Sequence, residues 1–221
     1  MRNKYVCFDI GNVICNVDFE AFILHMQNEL GVPRYKTWDF LVRTQKLHDV
    51  GLSTMKDEAV TFCGEDADKQ KTLLKEWNKT VKANKTMVKF IKEIILKGGR
   101  VALLSNMGYD HSELMKTELS EIYHSCDKFL SCEVGLRKPT IAYYHLFLEM
   151  YPDYAASGPL LYVDDRRENL DAAFKLGFWP EHFELDKYDE TKLEEKIEDL
   201  RHKIEEFGYM IWWGFSNGRS S

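Results

Sequence analysis

The sequence has little that would tie it to a membrane, to nucleic acid or to an oxidising compartment. Its apolar runs span only a handful of residues, far short of the roughly 18 that a membrane span needs. Basic residues are in deficit: 30 Lys and Arg against 36 Asp and Glu give a net charge of −6. Spread along the chain, that charge argues against a nucleic-acid-binding surface. Five cysteines (Cys7, Cys15, Cys63, Cys126, Cys132) form no CxxC pair and are odd in number. Such usage fits thiols kept reduced and buried as small apolar residues. The opening residues MRNKYVCFDIGN lack the long apolar segment of a secretory signal, because Asp9 interrupts it. These absences predict a cytoplasmic protein. Repeats and low-complexity tracts are missing too.

What is present is an ordinary globular composition, 44% hydrophobic and 30% charged over 221 residues. That length holds one α/β domain with a sizeable core and a smaller inserted one. Three segments share a pattern in which a short apolar run ends on a polar residue: Tyr5 to Asp9, Val101 to Ser105 and Leu160 to Asp164. Unbroken runs of this kind predict strands covered on both faces. Phe129 to Cys132 and His182 to Leu185 are weaker strand candidates. Between them lie helical periods at Thr86 to Lys97, His111 to Ile122, Thr140 to Met150 and Glu168 to Leu176. The alternation predicts a doubly wound α/β fold around a parallel sheet. Ligands of such sheets bind beyond the carboxyl ends of the strands, where Asp9, Ser105 and Asp164 stand.

From about Asp18 to Ala83 the alternation stops, leaving only helical periods such as Phe19-Phe22-Ile23-Met26-Leu30 and Leu73-Leu74-Trp77-Val81. About 65 residues is too much for one crossover, so we expect a small helical cap inserted after the first strand. The expected division is residues 1–17 and 84–188 as the α/β core, 18–83 as the cap and 189–221 as a C-terminal helix and apolar tail. The tail is Gly208 to Phe215, with Trp212 and Trp213 adjacent. It is a candidate for a homodimer or partner contact, or for folding back on its own domain. Ser216 to Ser221 reads as disordered.

The chemistry-bearing residues cluster at the strand ends. Asp9 is a candidate nucleophile or metal ligand. Asp164 and Asp165 set two acids side by side, a repulsion that a cation offsets, and hard oxygen ligands suit Mg²⁺. Asp165 has a second reading as a helix N-cap. Ser105 and Asn106 end their strand in a turn fit to hold phosphate oxygens, and Lys138, before Pro139, supplies positive charge.

In order, Phe8-Asp-Ile-Gly-Asn-Val13, Leu104-Ser-Asn106, Gly135-Leu-Arg-Lys-Pro139 and Val163-Asp-Asp-Arg-Arg-Glu-Asn-Leu170 resemble the four motifs of the haloacid dehalogenase-like (HAD) hydrolases. The resemblance runs from about residue 4 to 186. The Asp-x-Gly-Asn-Val turn looks most like the branch containing α-D-glucose-1-phosphate phosphatases, and Gln45 to Thr54 (QKLHDVGLST) is similar to a cap segment of that branch. It implies a Rossmann-like HAD core and a phosphoric monoester hydrolase. Asp9 would form an aspartyl-phosphate. Mg²⁺ would sit on Asp9, the carbonyl of Gly11 and Asp165, with Asp164 nearby. Ser105 and Asn106 would hold the phosphoryl oxygens, Lys138 would stabilise charge, and Asn169 would support the acidic loop. The implied ligand is a small phosphorylated metabolite of the sugar phosphate kind, with no nucleic acid or membrane partner.

One position departs from that pattern. Most phosphatases of the superfamily carry an Asp two residues after the nucleophile as general acid and base; here it is Gly11. Either the leaving group needs little protonation, or a cap side chain such as Asp18 or His48 stands in. Two other readings stay open. One is a catalytically weak or inactive HAD-like protein acting as a binding or regulatory partner. The other is a phosphonatase-like hydrolase, which would use a cap lysine for a Schiff base; Lys46 and Lys56 sit in no apolar context that would depress a pKa and so argue against it.

Overall fold

Alternate residues along the central strands point to opposite faces of a sheet, and in this chain both faces are buried. Val6, Phe8, Val101, Leu103, Leu161 and Val163 belong to one apolar cluster, while Cys7, Ala102, Leu104, Leu160 and Tyr162 belong to another. That is why the strand sequences read as unbroken apolar runs. The structure, a computed structural model, describes residues 5–185 and 188–217, with the backbone alone over 207–217.

The strands are β1 (Tyr5–Phe8), β4 (Arg100–Ser105), β5 (Asp127–Leu130), β6 (Leu160–Asp164) and β7 (Phe178–His182), numbered in chain order with β2 and β3 below. They lie side by side as β5-β4-β1-β6-β7, and every neighbouring pair is parallel. One face is covered by α5 (Lys85–Leu96), α6 (Tyr109–Glu118) and the first part of α11 (Glu190–Asn217). From α11, Leu193, Ile197, Leu200 and Ile204 reach that cluster at helical spacing. The other face is covered by α8 (Ile141–Met150), α9 (Pro152–Ala156) and α10 (Arg167–Phe174). A doubly wound parallel sheet is therefore what the alternation specifies. The chain leaves β1 for one edge and returns to β6 on the other side, so Asp9, Ser105 and Asp164 end three adjacent central strands.

The helical stretch forms α1 (Phe19–Leu30), α2 (Arg34–His48), α3 (Met55–Cys63) and α4 (Ala67–Trp77), which share their own apolar cluster around Phe22, Met26, Phe40, Met55 and Leu73. Asp18 starts α1 by accepting from Ala21 N at 2.8 Å. Thr54 and Asp57 form a reciprocal capping box at the start of α3.

Four expectations need correction. The helical insert is bracketed by a two-stranded antiparallel ribbon, β2 (Cys15–Val17) with β3 (Val81–Ala83); Val81 belongs to that ribbon, not to a helix, since α4 ends at Trp77. β5 starts at Asp127, and Cys132 lies in the short helix α7 (Ser131–Val134). The last strand is Phe178–His182, earlier than the expected His182 to Leu185; Pro180 is tolerated there because β7 is an edge strand. Helix α11 continues to Asn217, past the expected end at Phe207. The side chains of the Trp212-Trp213 tail, and Gly218 to Ser221 altogether, lie outside the described residues. Among the described residues no helix is long and apolar enough to cross a membrane, and all five cysteines are free thiols.

Candidate active site

Lys138 is the most constrained polar side chain of the site. It is 1% exposed, and its Nζ lies 2.8 Å from Leu104 O, 3.0 Å from Tyr162 Oη and 2.7 Å from Asp164 Oδ2. Asp9 Oδ1 is 3.0 Å away on its remaining side. The backbone is fixed as well: Lys138 N donates to Asn106 Oδ1 at 2.8 Å, and Asn106 Nδ2 donates back to Lys138 O at 2.9 Å. The two segments that sequence reasoning placed separately are thus joined by a two-bond ring. A buried ammonium needs this satisfaction, since an unpaired one is very costly.

The three acids differ in how far the protein satisfies them. Asp164 is fully buried and accepts from Lys138, Tyr162, Asn169 Nδ2 at 2.9 Å and Arg166 N at 2.8 Å. Burial works to raise its carboxyl, but the Lys138 charge and these donors hold it below the usual carboxylate range. Asp9 accepts from Ile10 N at 2.7 Å and from Lys138. Burial pushes its carboxyl up to about 7, with Asp164 and Asp165 adding repulsion and Lys138 opposing. Asp165 accepts from Asn12 Nδ2 at 3.2 Å and is pushed up to about 6 by burial and then by Asp164. Lys138 stays charged, because Asp164 and Asp9 outweigh the effect of its burial.

Carboxylate oxygens of Asp9, Asp164 and Asp165 all lie within 4.8 Å of one another. Three acids face one ammonium, so the cluster keeps excess negative charge, and its donors are hard oxygens. A small divalent cation fits that donor set, with Asp9 and Asp165 the less occupied acids and Asp164 largely committed to Lys138.

These groups open on a cavity of about 210 Å³. Asp9, Gly11, Ser105, Asn106, Lys138 and Asp165 all line it, as do Asn12 and Asn169. Ser105 is buried at the end of β4 and lines this space. Asn12, at φ 53, takes the left-handed conformation that asparagine tolerates, which turns the β1 loop toward Asp165. Gly11 is not required by the backbone: its φ is not positive, and an added Cβ would meet only Val17 Cγ2, at 3.4 Å.

The expected cap stand-ins are not on the cavity. Asp18 is exposed and spent on the α1 cap. His48 is buried, edge-on to Trp77 at 6.0 Å, and does not line the cavity. Lys46 and Lys56 are exposed and away from it. Two residues that the sequence did not single out do line it, Gln45 from α2 and His111 from α6. His111 stacks on Trp77 at 4.5 Å. Its Nε2 faces Trp77 O and Thr80 Oγ1, both at 3.3 Å. Thr80 Oγ1 gives its proton to Trp77 O, so both contacts of Nε2 are acceptors and Nε2 carries the proton. Burial lowers this imidazole to about 4, so it is neutral.

No protein-family model matches the chain, and no curated protein matches its sequence. Solved structures do. A HAD family enzyme from Bacteroides thetaiotaomicron, in complex with magnesium and inorganic phosphate, superposes with a TM-score of 0.70 at 20% identity, over 86% of this chain and 98% of that one. A predicted HAD-like family hydrolase from Porphyromonas gingivalis gives 0.63 at 19% identity, over 83% and 92%. L-2-haloacid dehalogenase from Xanthobacter autotrophicus gives 0.57 at 18% identity, over 81% and 77%. The chain thus has the fold of the HAD family enzymes. At these identities the likeness is one of fold.

Proposed function

We propose that the chain is a Mg²⁺-dependent phosphatase that hydrolyses a small phosphorylated metabolite through an aspartyl-phosphate on Asp9. The observation that carries this reading is the convergence of Asp9, Ser105, Lys138 and Asp165 on one small cavity. A volume of about 210 Å³ lies below the roughly 300–1,000 Å³ of drug-sized ligand sites and favours a compact substrate. The neighbour holding magnesium and phosphate supports both the metal and the substrate class.

In this mechanism Asp9 attacks phosphorus, forming an Asp9 Oδ–P bond while the P–O bond to the leaving group breaks. Water then cleaves the acyl phosphate, releasing inorganic phosphate and restoring the carboxylate. Lys138, fixed before substrate arrives, stabilises the charge on the phosphoryl oxygens without reorganising. Ser105 and Asn106 orient those oxygens. Asp164 does its work through Lys138, and Asn169 holds Asp164. Mg²⁺ bound by Asp9, Asp165 and the Gly11 carbonyl would supply neutralisation of the carboxylate–phosphate repulsion.

The leaving oxygen takes its proton from solvent, since Gly11 offers none and His111 is neutral. That limits good substrates to those with a stable leaving group. A sugar 1-phosphate of the glucose-1-phosphate kind meets that requirement, and we propose that class. The test is hydrolysis of an aryl phosphate with Mg²⁺ or with EDTA, in wild type and Asp9→Asn. Turnover is expected with Mg²⁺ alone, falling by roughly 10⁴-fold or more in the variant. Equal rates in all four conditions would sink the phosphatase reading.

A further inference from the structure

The segment QKLHDVGLST, which runs from Gln45 to Thr54, has no part in the chemistry just described, yet it and the residue after it carry several contacts between the insert and the sheet domain. Arg137 Nη2 lies 3.0 Å from Asp49 Oδ2, and the Asp49 side chain is only 4% exposed. Gly51 sits at φ 72, so close to the core that an added Cβ would be 2.4 Å from Cys132 O. His48 packs on Gly108, where a Cβ would meet His48 Cβ at 3.1 Å. Met55 N donates to Asp110 Oδ2 at 2.7 Å. Gln45 stands one helical turn before Asp49, whose N–H donates to Gln45 O at 2.9 Å. Whatever fixes Asp49 therefore fixes Gln45, which lines the cavity and whose amide has no partner among the described residues.

The geometry points to Asp49 and Arg137 as a positioning clasp that holds the end of α2 closed over the cavity, placing the Gln45 amide against the leaving group of the bound phosphoester. Arg137 precedes Lys138, but the clasp is not what places that lysine. Lys138 is fixed independently by Leu104, Tyr162, Asp164 and both bonds to Asn106. Loss of the clasp therefore releases the insert and spares the charged floor of the cavity. The pair is not an aligned hydrogen bond, since Asp49 Oδ2 has no donor in hydrogen-bond geometry. It is a contact between a buried carboxylate and a partly buried guanidinium, and removing the guanidinium leaves the buried carboxylate without its counter-charge. A primary amide offers both a donor and an acceptor, so it suits a leaving group carrying a hydroxyl.

The identity of the leaving group rests on the phosphatase reading; the clasp itself does not. Hydrogen exchange read by mass spectrometry on peptides covering 45–55 and 100–105 tests the clasp without turnover. Asp49→Asn and Arg137→Gln are each expected to speed exchange in 45–55 by roughly ten-fold and leave 100–105 unchanged. The double variant should be no faster than either single, and Arg137→Lys should recover most of the protection. On an aryl phosphate with Mg²⁺, the single variants should raise KM by about ten-fold, as expected when the closed state is populated less, with kcat nearly constant. Unchanged exchange in both singles, or strictly additive exchange in the double, overturns the clasp. A drop in kcat at constant KM overturns its assignment to the insert and moves it to Lys138. If wild type turns nothing over while the exchange pattern holds, the phosphatase reading fails and the clasp stands.

Discussion

Lys138 on the floor of the cavity has a partner for every N–H it can offer, whereas six buried side-chain atoms in the helical insert above it have no hydrogen-bond partner in the protein. Those six are His25 Nε2, Thr37 Oγ1, His48 Nε2, Asp49 Oδ2, Ser53 Oγ and Trp77 Nε1. All of them fall between residues 18 and 83, and among the described residues the sheet domain has none. Buried polar groups are ordinarily paired, so the contrast has a physical meaning. The floor is satisfied before any ligand arrives, as the proposed phosphoryl transfer requires. The roof keeps spare hydrogen-bonding capacity, which costs stability.

The sharpest way to break this comparison is at Lys138 itself. Lys138→Met leaves Asp164 and Asp9 buried without their cation. Removing one member of a buried charge cluster costs about 3–5 kcal/mol, so a large fall in denaturant midpoint is expected. Turnover of an aryl phosphate should fall by roughly 10³-fold, the loss typical of a preorganised electrostatic donor. A variant as stable as wild type would mean that the floor is no better satisfied than the roof.

Gly11→Asp asks whether the floor lacks a general acid by constraint or by choice of substrate. Its φ is ordinary and its Cβ has room beside Val17, so an acid fits. General acid–base help is worth about 10²–10⁴ in rate when fully aligned. Even partial alignment should raise the rate on an alkyl phosphate by about ten-fold while changing an aryl phosphate little, because the aryl group leaves unaided. Equal effects on both would show that leaving-group protonation is not what Gly11 limits.

At the join of floor and roof, Gly51→Ala puts a methyl 2.4 Å from a backbone oxygen, at a φ of 72 that disfavours side chains. Strain of this kind costs about 1–3 kcal/mol. The insert relieves it by lifting, so KM on the aryl phosphate should rise with kcat nearly kept. Loss of global stability with KM unchanged would mean that the loop cannot move.

How much of this was open to sequence reading follows the same division. The strand-end residues Asp9, Ser105 and Asp164 were legible because a buried strand advertises itself as an apolar run, and the residue after it must face the ligand side. Asn106 and Lys138 were legible as candidates but not as partners, since nothing local says that their amide and backbone meet across 32 residues. β7 was misplaced because Trp179 and Pro180 belong to an edge strand, where the buried-run signal is weak. The ribbon β2–β3 was missed because three-residue strands carry too little pattern. Gln45 and Asp49 were legible only as members of the cap-like segment 45–54, and His111 and the Asp49–Arg137 contact not at all: each depends on where the insert lands, and helical periodicity fixes only which face is apolar, not what that face meets.

The smallest effect is the most direct probe of the contrast. Thr37 in α2 and Ser131 in α7 are both 0% exposed hydroxyls. Thr37 Oγ1 has no partner, while Ser131 Oγ accepts from Met107 N at 3.0 Å and donates to Met107 O at 3.4 Å. Replacing Thr37 by the near-isosteric Val removes a buried hydroxyl that makes no bond, which is expected to leave stability unchanged or raise it by up to about 1 kcal/mol. Replacing Ser131 by Ala strands a buried N–H in the loop that carries Ser105 and Asn106, at a cost of about 1–3 kcal/mol. Chemical denaturation of the two variants gives the difference directly. Opposite signs mean that unsatisfied polarity is a property of the roof alone. Equal losses mean that Thr37 has a partner in solution, an enclosed water being the natural one, and that the roof is as fully bonded as the floor, with closure then resting on the Asp49–Arg137 contact rather than on slack in the insert.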